Sequence, residues 1–404
     1  MDQPAPKTAP PNSLLYAFDR AIAPVGFERF LAEYYEQRPL VLHREQPGYY
    51  ADLLSLETLD DFLTAIWPRH NQVFVVDARR EIPPAEYTLS DWQIDVVRLH
   101  QLFTDGATIT FRQMQDRLPA LGGLCRAAEQ IFNFPFQTNL YFTPAGGQGF
   151  KTHHDTHDVF VLQVSGSKRW RVYDPVIPLP LPGQSFQGNE DRLGPATDEF
   201  TLHSGDLFYC PRGFPHDAQG TDEPSLHITF GCLVTTWAEV MVEAMADACL
   251  TDPAFRTALP LGYAMDGAGS EEMELKFREL VERFSKTGRL APATDGLAED
   301  FISSRRALIP EQRRQIAALD QVALESWVGV RDGLIYRRRD DGDTISLHCH
   351  SSEIAFPRHA AEALTYALQS PRFLVRDLPG GLDDQGKLVL IRRLIREGLI
   401  TTVD

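Results

Sequence analysis

The chain has 404 residues, 43% hydrophobic and 24% charged, enough to bury the cores of two or three domains. Its formal charge of −17 repels nucleic-acid phosphates and favours a basic partner or plain solubility, so direct nucleic-acid binding is not expected. Five scattered cysteines without a Cys-x-x-Cys pair, no apolar run of membrane-spanning length and no basic-then-apolar leader predict free thiols in the cytoplasm.

Residues 1–13, rich in Pro and Ala, read as a mobile tail. Phe27, Phe30, Leu31, Tyr34 and Tyr35 have helical spacing and run into Arg38-Pro39-Leu40-Val41-Leu42, which suits a strand; a second helical stripe covers 53–67. From Gln137 the texture changes to short strands punctuated by Gly, Pro and Asp: 139–143, 159–164, 169–173, 206–210 and 226–233. The polar, Pro- and Gly-rich stretch 178–195 is an excursion between strands. Helical period returns at 240–245 and 273–284. Two strands follow from about Trp327, then a helix at 360–368, a break at 377–382 and a helix at 387–398. This closing order suits a small winged-helix module.

The chemistry gathers in the strand-rich part. His153-His154-Asp155 and the distant His216, in Pro211-Arg212-Gly213-Phe214-Pro215-His216, offer two imidazoles and a carboxylate, the facial set of non-haem iron oxygenases. On a strand, His153 and Asp155 would share a face and His154 would point away. His-x-Asp alone is a weak signal. Lys168 lies fifteen residues after His153 and could meet an anionic cosubstrate or sit solvated at a strand edge. Asn139 and Tyr141, two apart, could add hydrogen-bonding groups from a neighbouring strand.

Asn139 to Gly149, His153 to Gln163, Gly166-Ser167-Lys168-Arg169-Trp170-Arg171-Val172-Tyr173 and Pro211 to His216 together resemble the JmjC/cupin-4 ribosomal oxygenases. Phe30-x-x-x-Tyr34-x-x-x-Arg38-Pro39-Leu40 resembles that family's entry segment, and the stretch from Leu378-Pro379-Gly380 to Leu399-Ile400 its ending, so the resemblance spans nearly the whole chain. It implies a mainly β plus α fold: a double-stranded β-helix (jelly-roll, cupin) barrel at 14–237, a helical dimerisation segment at 238–325 and a winged helix at 326–404. It implies that His153, Asp155 and His216 hold Fe(II). Lys168, helped by Asn139 and Tyr141, would bind 2-oxoglutarate, with Thr229 a candidate assistant and O2 as co-reactant. Lysine at 168 is more like the eukaryotic members than the best-known bacterial type, which weakens transfer of the bacterial substrate.

The implied activity is hydroxylation of a protein side chain, with a basic ribosomal protein as partner and a homodimer as the assembly. A tailoring hydroxylase of a peptide or small natural product is the runner-up, and a metal-holding cupin scaffold without turnover is a third reading. Met241, Met245 and Phe255 are consistent with a dimer face or with packing inside the chain. His348-Cys349-His350 is expected to be a chance cluster, because three adjacent residues cannot face one metal from a strand. Asp158 is expected to pair with Arg169 or Arg171, and Arg337-Arg338-Arg339 to be neutralised by Asp340-Asp341. His157 reads as a barrel residue or part of a substrate pocket, and Cys210 and Cys232 as buried small hydrophobes.

Overall fold

A computed structural model describes residues 16–265 and 271–403, so the tail expected at 1–13 lies outside the described residues. The chain divides into two compact units between Val234 and Thr235.

The first unit carries ten described strands: β1 (Leu40–Leu42), β2 (Val73–Val76), β3 (Thr108–Phe111), β4 (Phe136–Thr143), β5 (Asp158–Ser165), β6 (Ser167–Tyr173), β7 (Ala196–His203), β8 (Leu207–Cys210), β9 (His216–Gly220) and β10 (Ser225–Cys232). They form an antiparallel sheet in the order β1-β8-β5-β10-β4-β3-β2 and a smaller one in the order β7-β6-β9. Five helices precede β4: α1 (Phe18–Ile22), α2 (Phe27–Glu33), α3 (Leu56–Ile66), α4 (Val96–Thr104) and α5 (Pro119–Phe132). Local chemistry sets their ends. Ser55 and Asp95 cap α3 and α4 by accepting the Thr58 and Arg98 backbone N–H, while Pro119 opens α5 and a left-handed Asn133 closes it.

Strand β5 shows how the layers stack. Alternate residues face opposite sides, and both sides are buried. Phe160, Leu162 and Val164 join the helix-side core with Phe18, Phe30 and Tyr209, whereas Val159 and Val161 join a second core with Trp170, Val172, Leu202, Phe208 and Cys210. The second core fills the space between the two sheets, which makes this a cupin-like barrel. Between β5 and β6 the chain reverses at Gly166 (φ 63°), where a Cβ would overlap the Pro224 carbonyl oxygen.

In the second unit α6 (Trp237–Thr251) starts with a reciprocal capping box: Thr236 Oγ1 accepts the Glu239 N–H, and the Glu239 carboxylate accepts the Thr236 N–H. Then come α7 (Glu271–Thr287), α8 (Leu290–Ser303), α9 (Gln312–Ala317), β11 (Trp327–Val330), β12 (Arg337–Asp341), β13 (Thr344–Cys349), β14 (Ser352–Pro357), α10 (Ala361–Gln369), β15 (Phe373–Leu374), α11 (Asp384–Arg396) and β16 (Ile400–Thr402). The strands make two three-stranded sheets, β15-β11-β16 and β12-β13-β14, around a core that includes Val328, Leu347, Leu364 and Ile391. Local neutralisation of the arginine run holds only for Arg338, which pairs with Asp340. Arg337 and Arg339 reach Asp295 and Glu299 on α8 instead, because β12 lays them beside that helix. Cys349 is buried in this core and His348 lies 3.6 Å from Glu353.

Candidate metal centre

His216 opens β9, and its backbone pairs with His153 in an isolated antiparallel bridge with N···O distances of 3.1 and 2.8 Å. His153 and Asp155 therefore do not lie on a strand as the alternation argument assumed; that single bridge is all the sheet character the segment has. It is held from both sides, since the Gly213 N–H also donates to the Asp155 carbonyl at 3.0 Å. The outcome for the side chains is the one alternation called for: one donor atom from each of His153, Asp155 and His216 lies within 4.8 Å of the others. Among the described residues this is the one cluster of His, Cys or carboxylate groups arranged to hold a metal ion. His154 points away, where its Nε2 meets the Gln184 carbonyl and its ring packs on Phe186.

Both ligand imidazoles are oriented by backbone. His153 Nδ1 lies 2.8 Å from the Lys151 carbonyl and His216 Nδ1 3.0 Å from the Phe214 carbonyl, so each Nδ1 carries the proton and each Nε2 is free to ligate. Burial, reinforced by the charge of His153, pulls His216 down to about 4, which keeps it neutral near pH 7. Burial works against ionisation of Asp155, but the surrounding imidazoles, His157 foremost, outweigh it and hold the carboxyl below its usual value. Two imidazoles and one carboxylate, with His216 buried and the other two half-buried, are the donor set and the one-sided exposure that a catalytic divalent iron requires.

Over β4 and β10 the inner face of the large sheet is polar, and Lys168 of β6 reaches it. Lys168 is 4% exposed, and its Nζ donates to Thr143 Oγ1 at 2.9 Å with no carboxylate in its company; burial alone pulls its pKa down to about 7. Tyr141 stacks on His227 at 4.9 Å between ring centroids, and His227 meets the edge of Trp170 at 5.6 Å. His227 Nδ1 and Trp170 Nε1 are buried without a hydrogen-bond partner. Burial and then the charge of Lys168 push His227 well below its usual pKa, and burial lifts the Tyr141 phenol to about 12. Thr229 lies directly across from Asn139, donating to its carbonyl at 3.3 Å, and the Asn139 side-chain oxygen accepts the Gln113 N–H. A buried cation and orphaned donors facing one another fit a small dianion.

The structure thus sets Asn139, Tyr141 and Thr229 on one face of β4 and β10 and brings Lys168 to Thr143 on that face. Thr143 and His227, which the sequence reading passed over, belong with them. Their signal was the strand period: Thr143 follows Tyr141 by two residues, and His227 precedes Thr229 by two. Asp158 pairs with neither Arg169 nor Arg171. It faces the helix-side core at the start of β5, where its Oδ1 accepts the Arg212 N–H at 2.8 Å and burial lifts its pKa to about 6. Arg171 pairs with Asp217 instead. The His157 ring packs against Gly231, whose missing side chain gives it room, and Cys210 and Cys232 are buried as expected.

The JmjC domain family matches residues 117–240, which cover the triad. Ribosomal oxygenase 2 of Bos taurus is 30% identical, with 96% of this chain and 91% of that protein aligned. This chain belongs to the ribosomal oxygenase family. Another relative of the oxygenase described here, the bifunctional lysine-specific demethylase and histidyl-hydroxylase NO66 of Dictyostelium discoideum, is 27% identical over 94% of this chain and 81% of its own. The fold of the ribosomal oxygenase YcfD from Escherichia coli, solved in complex with cobalt and 2-oxoglutarate, superposes with a TM-score of 0.52 at 17% identity, covering 93% of this chain and 98% of that one.

Proposed function

We propose that His153, Asp155 and His216 hold iron(II), that Lys168 and Thr143 receive the far carboxylate of 2-oxoglutarate, and that the oxygenated group is a side chain of a ribosomal protein. The chain is a 2-oxoglutarate-dependent oxygenase; the position and substrate assignments are our reading. When bound, iron with the oxo acid activates O2, so that 2-oxoglutarate, O2 and a C–H bond become succinate, CO2 and C–OH. The residues of this chain do the rest. The Lys151 and Phe214 carbonyls fix the two imidazoles, Asp155 stays a carboxylate, and the negative charge of the dianion holds on Lys168 a proton that comes from solvent. Tyr141, His227, Thr229 and Asn139 line the same face, and the apolar layer of Val161, Trp170 and Phe208 excludes water from beneath.

The observation that carries this reading is a buried lysine without a carboxylate partner on β6, the strand that pairs through Val172 with His216 of a two-imidazole, one-carboxylate cluster. The relatives' names, ribosomal oxygenase and histidyl-hydroxylase, support a protein substrate. Mass spectrometry of ribosomal proteins from cells with and without the gene tests it: one protein should gain a single oxygen only when the gene is present. An oxygenated metabolite with unmodified ribosomal proteins would sink the protein-substrate assignment.

We also assign a barrel domain to 14–237, a helical dimerisation domain to 238–325 and a winged helix to 326–404, in a cytoplasmic homodimer. No helix among the described residues is long and apolar enough to cross a membrane. In support of the dimer, α7 buries none of its residues and leaves Leu275, Phe277 and Val281 exposed, and Met241 on α6 is exposed as well, a face suited to a second copy. Sedimentation as a monomer at micromolar concentration would remove that assignment.

A further inference from the structure

Register aligns Phe74, Thr110, Tyr141 and His227 side by side across β2, β3, β4 and β10. Because neighbours directly across a sheet share a face, Phe74 and Thr110 extend the active-site face outward to β2. Arg112 follows Thr110 by two residues and continues that face. Its guanidinium carbon stands 3.7 Å from the Phe74 ring centroid, and its backbone N–H is pinned to the Gln72 carbonyl at 2.8 Å. The side chain is exposed, and in a chain with 56 acidic residues it has no ion pair among the described residues. Its charge is felt by both Tyr141 and Tyr87.

Beside this pair opens a cleft of about 540 Å³, with an apolar wall of Phe74, Val76, Tyr87 and Phe150 and charged groups of both signs, among them Asp77 and Lys151, elsewhere in its lining. Phe150 connects it to the metal centre, with its ring 5.7 Å from His153 and 5.9 Å from Tyr141. Under the pair, the Thr110 hydroxyl is buried and unpartnered. A guanidinium with one face stacked on a ring keeps its N–H donors free in its own plane, where a ligand's acceptors can replace water.

We propose that Arg112 and Phe74 form a substrate-orienting subsite for an extended polypeptide: Arg112 donates to a main-chain carbonyl beside the target residue, and an uncharged apolar side chain next to the target enters the Phe74–Phe150 cleft. This rests on the protein-substrate reading above and says which segments qualify. Arg112 repels lysine or arginine at the flanking position, so even within a basic protein the oxygenated residue has an apolar neighbour.

The test uses the full-length, iron-loaded enzyme and an array of peptides tiling the ribosomal proteins, read by gain of one oxygen. Arg112→Met keeps the stem over Phe74 but removes the donors. It should raise KM for the best peptide roughly 10-fold or more, the size of one charged hydrogen bond. Substrate-free succinate release should stay unchanged, and Arg112→Lys should fall between the two. Binding of the same peptide to manganese-loaded enzyme without O2 should weaken in parallel, and replacing the apolar flank by lysine should cost wild type more than Arg112→Met. Wild-type oxygenation with KM and binding unaltered in Arg112→Met overturns the subsite alone. No oxygenated peptide or ribosomal protein, with succinate still released, overturns the protein-substrate reading and the subsite with it.

Discussion

The inner face of the seven-stranded sheet has two halves built by the same alternation and put to opposite uses. Over β5 and β8 it presents Val159, Val161, Phe208 and Cys210 to the small sheet and forms a dry second core. Over β2, β3 and β4 it presents Phe74, Thr110, Tyr141 and Asn139, and at its outer edge Phe74 borders a cleft. The metal triad and Lys168 stand where the halves meet. One half supplies rigidity and a low dielectric; the other supplies access. A hydroxylase of large substrates needs both, because a fully covered face would exclude a polypeptide and a fully open one would not exclude water.

The comparison breaks hardest at the seam. His216→Ala removes a ligand and should bring succinate formation to background, with iron binding lost in calorimetric titration; normal iron content with retained turnover would refute the ligand assignment. On the dry side, Phe208→Ala leaves a cavity between the sheets and should cost about 3–5 kcal/mol in urea unfolding. A loss below about 1 kcal/mol would mean that the inter-sheet layer is not close-packed.

Lys168→Met should weaken 2-oxoglutarate binding roughly 10- to 100-fold, as loss of a charged hydrogen bond does, and should stabilise the protein without cosubstrate. In the folded state Lys168 titrates near 7 rather than 10.5. Its charge is therefore a burden at and below pH 7. Stability rises with pH between about 7 and 10.5, where the unfolded chain still holds the proton that the folded one has released. The melting-temperature advantage of Lys168→Met should thus be greatest at low pH and shrink toward pH 10.5; an advantage growing with pH would contradict this environment for the lysine. On the open side, Thr110→Val removes a hydroxyl without a partner and should change stability by less than about 1 kcal/mol, measured by the same urea unfolding. A larger loss would mean that the hydroxyl is satisfied in solution.

Much of the fold was legible because short strands with turn residues between them leave a visible texture, and α3 and α10 carry clear apolar periods. Strands β2, β3, β7 and β9 were not picked out: β7 carries the charged, exposed run Thr197-Asp198-Glu199, and β9 opens with metal-facing and polar residues rather than apolar ones. The proposed ligands, which the structure clusters, and Lys168 stood out through their spacing and the family resemblance. Thr143, His227 and Arg112 did not, because one polar residue in a strand has the same local pattern whether it faces a cosubstrate, a core or water.

What the sequence determined by itself was the chemistry available: two histidines, an aspartate and a lysine at characteristic separations. What only the tertiary structure decided was which polar residues those groups meet. His153 and Asp155 converge with His216 through one bridge rather than along a strand, Asp158 turns to Arg212 rather than to β6, and Arg112 comes to rest on Phe74. The physical reason is that pairing partners and register are set by long-range sheet assembly, and a shift of one residue would send each of these side chains to the opposite face.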